Sequence, residues 1–203
     1  DKIVQVNNSI LEETVTTTRK NILNELGINQ DNFVICNIGF LSKGKGQKYL
    51  LEALSHVREK EPLILEKMSL LIVGNGEEDV FLKQYSTYLN LNKYVHFLGY
   101  QEQSVNYINC CDLFAFPSVA AEDMPLVILS AMNLGKTILA TDFAGIREEI
   151  ENKKSGVLIS ANPETLSQDL ANSIIELYHS DNSAMRAKAK ERYSRLFSNS
   201  AYG

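Results

Sequence analysis

The sequence predicts an α/β fold: a doubly wound, Rossmann-like, mostly parallel sheet of six strands with helices on both faces. Three observations lead there. Short apolar runs of strand length recur six times, each bounded by Gly, Pro, Ser or Asp. Stretches with apolar residues three and four apart, the spacing of one helix face, alternate with those runs. Strands this apolar leave no polar side for water, so both faces of the sheet must be covered by crossover helices.

Taken in order, residues 1–32 form a lead-in whose helix runs from about Thr17 to Leu26 and is closed by Gly27. Residues 33–160 form the core, with strands predicted at FVICNI, SLLIVG, YVHFLG, LFAFPS, TILAT and GVLIS. Between the first two strands, Tyr49, Leu50, Ala53, Leu54 and Val57 keep one helical face. Residues 161–203 carry the closing helices: Leu166, Leu170, Ile174 and Leu177 mark one, a second spans about Ala184 to Leu196, and the polar SNSAYG follows.

The 203 residues, 44% hydrophobic and 22% charged, fit one domain large enough to bury a real core. A formal charge of −5 without any Lys/Arg stripe argues against a general nucleic-acid binder, so a phosphate ligand must be held locally. Cys36, Cys110 and Cys111 suit reduced, buried thiols in a cytoplasmic protein better than a disulfide framework. The apolar runs are too short to span a bilayer. Because the chain opens on Asp1, the expectation is a piece of a longer protein.

In open α/β sheets ligands sit beyond the carboxyl ends of the strands, which directs attention to the five loops that follow them. The first, GFLSKGKG, places Gly39, Gly44 and Gly46 where backbone can approach a ligand, with Lys43, Lys45 and Lys48 around the same turn. Solvated strand-to-helix connections also carry Gly and Lys, so the loop alone decides nothing. It lacks the GxxxxGK[ST] phosphate-loop pattern. After the fourth strand comes EDMPLVILSAM, where Pro125 suits the first turn of a helix that buries Leu126, Val127, Leu129 and Met132. The free amides and dipole of such a helix form a second phosphate-seeking element facing the first, and two such elements suit a diphosphate. Glu122 and Asp123 also read as helix-capping acids. His56, His96 and His179 stand far apart without companions at metal-ligand spacing. Ser118 lacks a nucleophile-elbow context.

From about Val34 to Ile159 the chain resembles the C-terminal, donor-binding domain of family 4 glycosyltransferases, retaining enzymes of GT-B architecture. The family's G-R-L-x-x-x-K-G segment appears as GFLSKGKG, V-G-x-G as the end of IVGNG, and v-x-F-x-G as VHFLG. Its c-D-x-x-x-x-P-S and acidic signature appears as CDLFAFPSVAAED, E-A-M-A-x-G-x-P as SAMNLGKT, and T-D-x-G-G-i-x-E as TDFAGIRE. VNNSI near the start is similar to the stretch that follows the linker from the N-terminal domain.

This resemblance implies metal-independent, cofactor-free transfer of a sugar from a nucleotide-diphospho-sugar such as a UDP- or GDP-sugar, in polysaccharide or other glycoconjugate biosynthesis. It assigns Lys45 and the amides of Leu126 and Val127 to the departing diphosphate, and Glu122, the first glutamate of the family's E-x7-E pair, to the donor sugar. Gly39, Phe40, Lys43 and Gly74 fall among the donor contacts, and Gly99 and Tyr100 near the base. Asp123, Met124 and Pro125 replace the family's G-F-G. A sugar or lipid-linked acceptor, and any peripheral association with the inner face of the membrane, would belong to an N-terminal domain absent from this chain.

Two positions depart from the pattern. The arginine of G-R-L is Phe40, which removes a charge-assisted contact worth about 1.5–3 kcal/mol unless Lys43 replaces it. The second glutamate of the pair is Ser130, whose single hydroxyl cannot act as a bidentate carboxylate, a loss on the order of 1–2 kcal/mol. Together these would lower donor affinity by roughly two to three orders of magnitude. They keep a second expectation open, a non-catalytic relative acting as a partner subunit. A domain for a different phosphorylated ligand is a third.

Overall fold

The computed structural model describes residues 14–120, 122–143 and 145–198, so VNNSI lies outside the described residues. The order of elements is α1 (Arg19–Glu25), β1 (Phe33–Ile38), α2 (Gln47–Lys60), α3 (Pro62–Leu65), β2 (Met68–Val73), α4 (Asp79–Tyr88), β3 (Val95–Gly99) and α5 (Val105–Cys110). The chain continues with β4 (Leu113–Phe116), α6 (Leu126–Asn133), β5 (Thr137–Thr141), α7 (Ile146–Glu149), β6 (Val157–Ile159), α8 (Leu166–His179) and α9 (Ser183–Leu196). All six predicted strands form, in the order β3-β2-β1-β4-β5-β6. Every pairing is parallel.

Alternation along β1 shows how the two layers share one strand. Val34, Cys36 and Ile38 enter the apolar cluster under α1, α5, α6 and α9, whereas Ile35 enters the cluster under α2, α4 and α8. Asn37, on the second face, donates its amide to the Ala115 carbonyl at 2.9 Å and so ties β1 to β4. Asp112 ties the same two strands at their other end: it accepts from the Val34 N–H at 2.8 Å and pairs with Arg19 at 3.1 Å. The predicted helical faces on α2 and α8 are buried as expected, with Tyr49 half-exposed at the edge.

The helix ends follow local chemistry. Thr18 caps α1 by accepting from the Asn21 N–H at 3.2 Å, and Gly27 turns the chain away with φ +67°. β4 stops two residues sooner than its apolar run suggests, because Pro117 has no N–H to continue the ladder. Pro125 stands one residue before α6, not in its first turn. It is the N-cap, with ψ 108°, and its carbonyl accepts the Ile128 N–H at 2.8 Å.

Strand order reverses between β1 and β4, whose onward connections to β2 and β5 lead to opposite sides of the sheet. The crevice outside their carboxyl ends is the topological switch point, and the loops meeting there are GFLSKGKG and the segment leading to α6.

Candidate functional site

At that crevice Lys45, from the short turn Lys43–Lys45, places its Nζ 2.5 Å from Glu122 Oε1. The Glu122 side chain is 11% exposed and that of Lys45 30%. Ser118 donates its hydroxyl to the same oxygen at 2.7 Å, and that hydroxyl also lies 3.0 Å from the Gly44 carbonyl. Thr141, at the end of β5, donates to the Ser118 carbonyl at 2.5 Å. Side chains from the loops after β1 and β4 therefore converge on one carboxylate, and the end of β5 braces Ser118. Lys45 further lies 5.7 Å from the centroid of the Phe116 ring, a cation–π distance.

Two of the glycines that follow the strands, Gly46 and Gly74, admit the chain's own backbone. A Cβ on Gly46 would stand 2.0 Å from the Pro117 carbonyl oxygen, and one on Gly74 would stand 1.9 Å from that of Gly39. Gly39 itself borders open space. The three lysines also separate. Lys45 turns to Glu122, while Lys43 and Lys48 line a second hollow of about 500 Å³ with Tyr49, Glu78 and Phe81. Lys48 pairs there with Glu52 at 3.3 Å.

Beside the crevice, beyond β1, β2 and β3, lies a slot of about 330 Å³. Gly39, Phe40, Gly74, Asn75, Tyr100, Gln101 and Ser104 line it. Phe40 and Tyr100 are 58% and 72% exposed, so two aromatic rings border a mainly apolar opening. Gln101 is already committed, donating to the Leu98 carbonyl at 2.8 Å and accepting from the Tyr107 hydroxyl at 3.2 Å. Gln47 holds the Phe40 carbonyl at 3.2 Å and steadies the near wall. Gly99 turns the chain at the slot's end with φ +65°.

Leu126 and Val127 supply the first amides of α6, whose positions in the turn precede any carbonyl four residues back. Leu126 is 49% exposed and Asp123 is exposed, while Met124, Pro125 and Val127 are half-buried. Ser130 is buried, and its hydroxyl donates to the Leu126 carbonyl at 3.2 Å. Sequence reasoning set Ser118 aside for want of a triad. The signal was nonetheless present in its position directly after β4, on the rim. Asn75 was missed as the variable position of IVGNG, and Gln101 and Ser104 because their loop carries no distinctive pattern.

Other reactive groups are muted. Burial pushes the Cys110 thiol up to about 12 and the Cys36 thiol well above its usual value, so neither is a ready nucleophile. Glu149 is fully buried, and burial, reinforced by the negative charges of Glu122 and Glu148, pushes its carboxyl up to about 9. Among the described residues no group of three or more His, Cys, Asp or Glu is placed to hold a metal ion.

The model of the family described as glycosyl transferases group 1 matches residues 18–193. The chain belongs to this family. It is 32% identical over 165 residues to the UDP-Gal:alpha-D-GlcNAc-diphosphoundecaprenol alpha-1,3-galactosyltransferase of Escherichia coli, covering 79% of this chain and 42% of that protein. An uncharacterized glycosyltransferase of Methanocaldococcus jannaschii is 32% identical over 142 residues, covering 70% of this chain and 31% of that one. Among solved structures, Anabaena HepE in complex with UDP-glucose superposes with a TM-score of 0.78 at 30% identity, covering 89% of this chain and 48% of HepE. The lipopolysaccharide glycosyltransferase WaaG, at 19% identity and a TM-score of 0.78, shows the shared GT-B fold. This group 1 chain thus covers between 31% and 53% of the length of these four proteins. Within the match fall both the Lys45–Glu122 pair and the aromatic slot.

Proposed function

We propose that this chain is the donor-binding half of a retaining, metal-independent glycosyltransferase that takes its sugar from a UDP-sugar. One observation carries the reading: Lys45 meets Glu122 in the segment that leads into α6, in the switch-point crevice, beside an aromatic-edged slot. The lysine and the first α6 amides suit a diphosphate, which gathers charge as the sugar leaves. Glu122, held by Ser118, suits sugar hydroxyls because an ionised carboxylate accepts several hydrogen bonds. The slot has room for a base stacked between Phe40 and Tyr100. HepE, at 30% identity, is a structure with UDP-glucose, which favours uracil over other bases here.

An acceptor domain on another part of the protein would close the crevice and supply the acceptor, in cytoplasmic polysaccharide or glycoconjugate synthesis at the inner face of the membrane. Calorimetry of this chain with UDP, GDP and ADP tests the donor reading, with UDP expected to bind tightest. Turnover by the full-length protein, with the product anomer assigned by NMR, tests transfer and retention. No heat with any nucleotide at millimolar concentration would leave the second reading, a non-catalytic partner subunit. That reading draws on Phe40 in place of an arginine and on Ser130, whose hydroxyl is engaged with Leu126.

A further inference from the structure

Glu149 has no part in the proposed donor contacts, yet it places a carboxyl group in the core. It lies on the buried side of α7 with Ile146, is 0% exposed, and neither carboxyl oxygen has a hydrogen-bond partner among the described residues. A buried carboxylate in that condition is strongly disfavoured, whereas a neutral acid is tolerated.

Its location gives the proton a consequence. The turn into α7 is pressed against the segment that carries Glu122. Gly145 donates its N–H to the Glu122 carbonyl at 3.1 Å, and a Cβ on Gly145 would stand only 1.1 Å from the Asp123 carbonyl oxygen. One helical turn further on, Glu149 sits close enough to feel the negative charge of Glu122. Nearby cations are committed elsewhere. From α9, Arg192 donates to the main-chain carbonyls of Glu149 and Glu148 at 2.7 and 2.8 Å, and lies 4.0 Å from Glu151. Arg147 pairs with Asp142, and Lys45 with Glu122. Glu148 adds a further negative charge on the same helix, and the Tyr193 phenol of α9 belongs to the same apolar cluster as Ile146 and Ile150.

We propose that Glu149 is a positioning residue for donor binding: held as a neutral acid behind the Lys45–Glu122 pair, it leaves Glu122 as the single negative charge from which Lys45 must part when a diphosphate arrives. Ionised, Glu149 adds a second carboxylate in a poorly solvated region. It then strengthens the hold on Lys45 and opposes the incoming phosphates, so affinity falls on the alkaline side. Glu149 touches neither substrate nor the reacting atoms. The inference rests on the donor-binding reading.

The test compares wild-type chain with Glu149→Gln, a neutral isostere, by UDP calorimetry from pH 6 to 9.5 at constant ionic strength. Both should bind alike near pH 7, and the wild type should lose up to about fourfold in affinity relative to the variant by pH 9.5, the most that one group titrating at about 9 can give there. The difference between the profiles cancels ionisation of the nucleotide and of Lys45. Parallel profiles would overturn the proposal, as would a variant weakened equally at every pH, which marks a structural role. Isotope-edited infrared spectra need no nucleotide. They should show a protonated-carboxyl band at pH 7 that is missing from Glu149→Gln, and a Glu122 carboxylate band that shifts as the first band titrates. Absence of the acid band, or a Glu122 band indifferent to it, would overturn the proposal even if wild type bound no UDP. Failure of wild type to bind at pH 7 would by itself sink only the donor reading. Glu149→Met offers a second neutral replacement should the glutamine variant not fold.

Discussion

Lys45 Nζ and Glu122 Oε1, 77 residues apart in sequence, stand 2.5 Å apart across the switch-point crevice. On the proposed donor-binding reading, the lysine that would take the diphosphate and the glutamate that would take the sugar are partners before either ligand group arrives, and binding would have to divide them. Lys45→Ala should lower UDP affinity by roughly 10–100-fold, the equivalent of one charge-assisted contact of about 1.5–3 kcal/mol. Glu122→Gln should bind UDP at least as well as wild type, since Lys45 is released, while losing the extra affinity conferred by an attached sugar. Calorimetry with UDP and a UDP-sugar in parallel separates the two. Equal losses for both ligands in Glu122→Gln would contradict the division of roles.

Phe40 borders the slot, exposed, where the family pattern has an arginine. Phe40→Arg should raise UDP affinity about tenfold and steepen its dependence on salt, because the gain is ionic and screened. Titrations at low and high ionic strength check this. A salt-independent change would mean that the ring contributes by stacking alone.

Ser118 is buried and gives its hydroxyl to Glu122. Ser118→Ala removes that donor from a carboxylate that is itself largely covered, and should lower folding stability by about 1–2 kcal/mol. It should also weaken UDP-sugar more than UDP. Urea denaturation combined with the paired titrations distinguishes a positioning role from a purely structural one, which would leave the ratio of the two affinities unchanged.

Ser130 invites the opposite expectation. Its hydroxyl is directed back to the Leu126 carbonyl within α6. Ser130→Ala should therefore leave UDP affinity within about twofold and stability within about 1 kcal/mol, the scale of one intrahelical hydroxyl contact. A tenfold loss of UDP binding would show the hydroxyl turning outward to the nucleotide.

Glu149 also predicts a pH dependence of folding. Its carboxyl is pushed up to about 9 in the fold, above the ordinary 4.5. Between those values the folded chain keeps a proton that the unfolded chain releases, so stability declines as pH rises from about 4.5 and levels off near 9. Glu149→Gln removes that slope. Its stability relative to wild type should grow from pH 5 to pH 8 by an amount on the order of a few kcal/mol. Chemical denaturation at three pH values in that range suffices, and parallel curves would place the Glu149 titration outside it.

Much of the fold was legible because β-α alternation and two-sided strand burial leave few alternatives. FVICNI and TILAT form strands over their full predicted lengths, and the α2 and α8 faces fill the core as their spacing required. The misses were local. Pro125 caps α6 from outside, and Gly46 and Gly74 make room for neighbouring backbone, and Gly44 for the Ala120 side chain, where a ligand had been expected. Composition cannot tell these uses of glycine apart, since both need only the absence of a side chain. The lysines of the first loop read as one cluster, yet the turn at Lys43–Lys45 sends Lys45 one way and Lys43 another.

Residue order alone determined the six-stranded architecture, the rim on which chemistry had to lie, and the group 1 family, because periodicity and motif spacing are properties of the chain taken singly. Tertiary structure decided which rim residues meet. It brought Ser118, Lys45 and Glu122 together, turned Ser130 inward and buried Glu149 behind them. Such contacts depend on angles of a few tens of degrees between elements remote in sequence, and on which charges lose their water. Neither is written in the identity of any one residue.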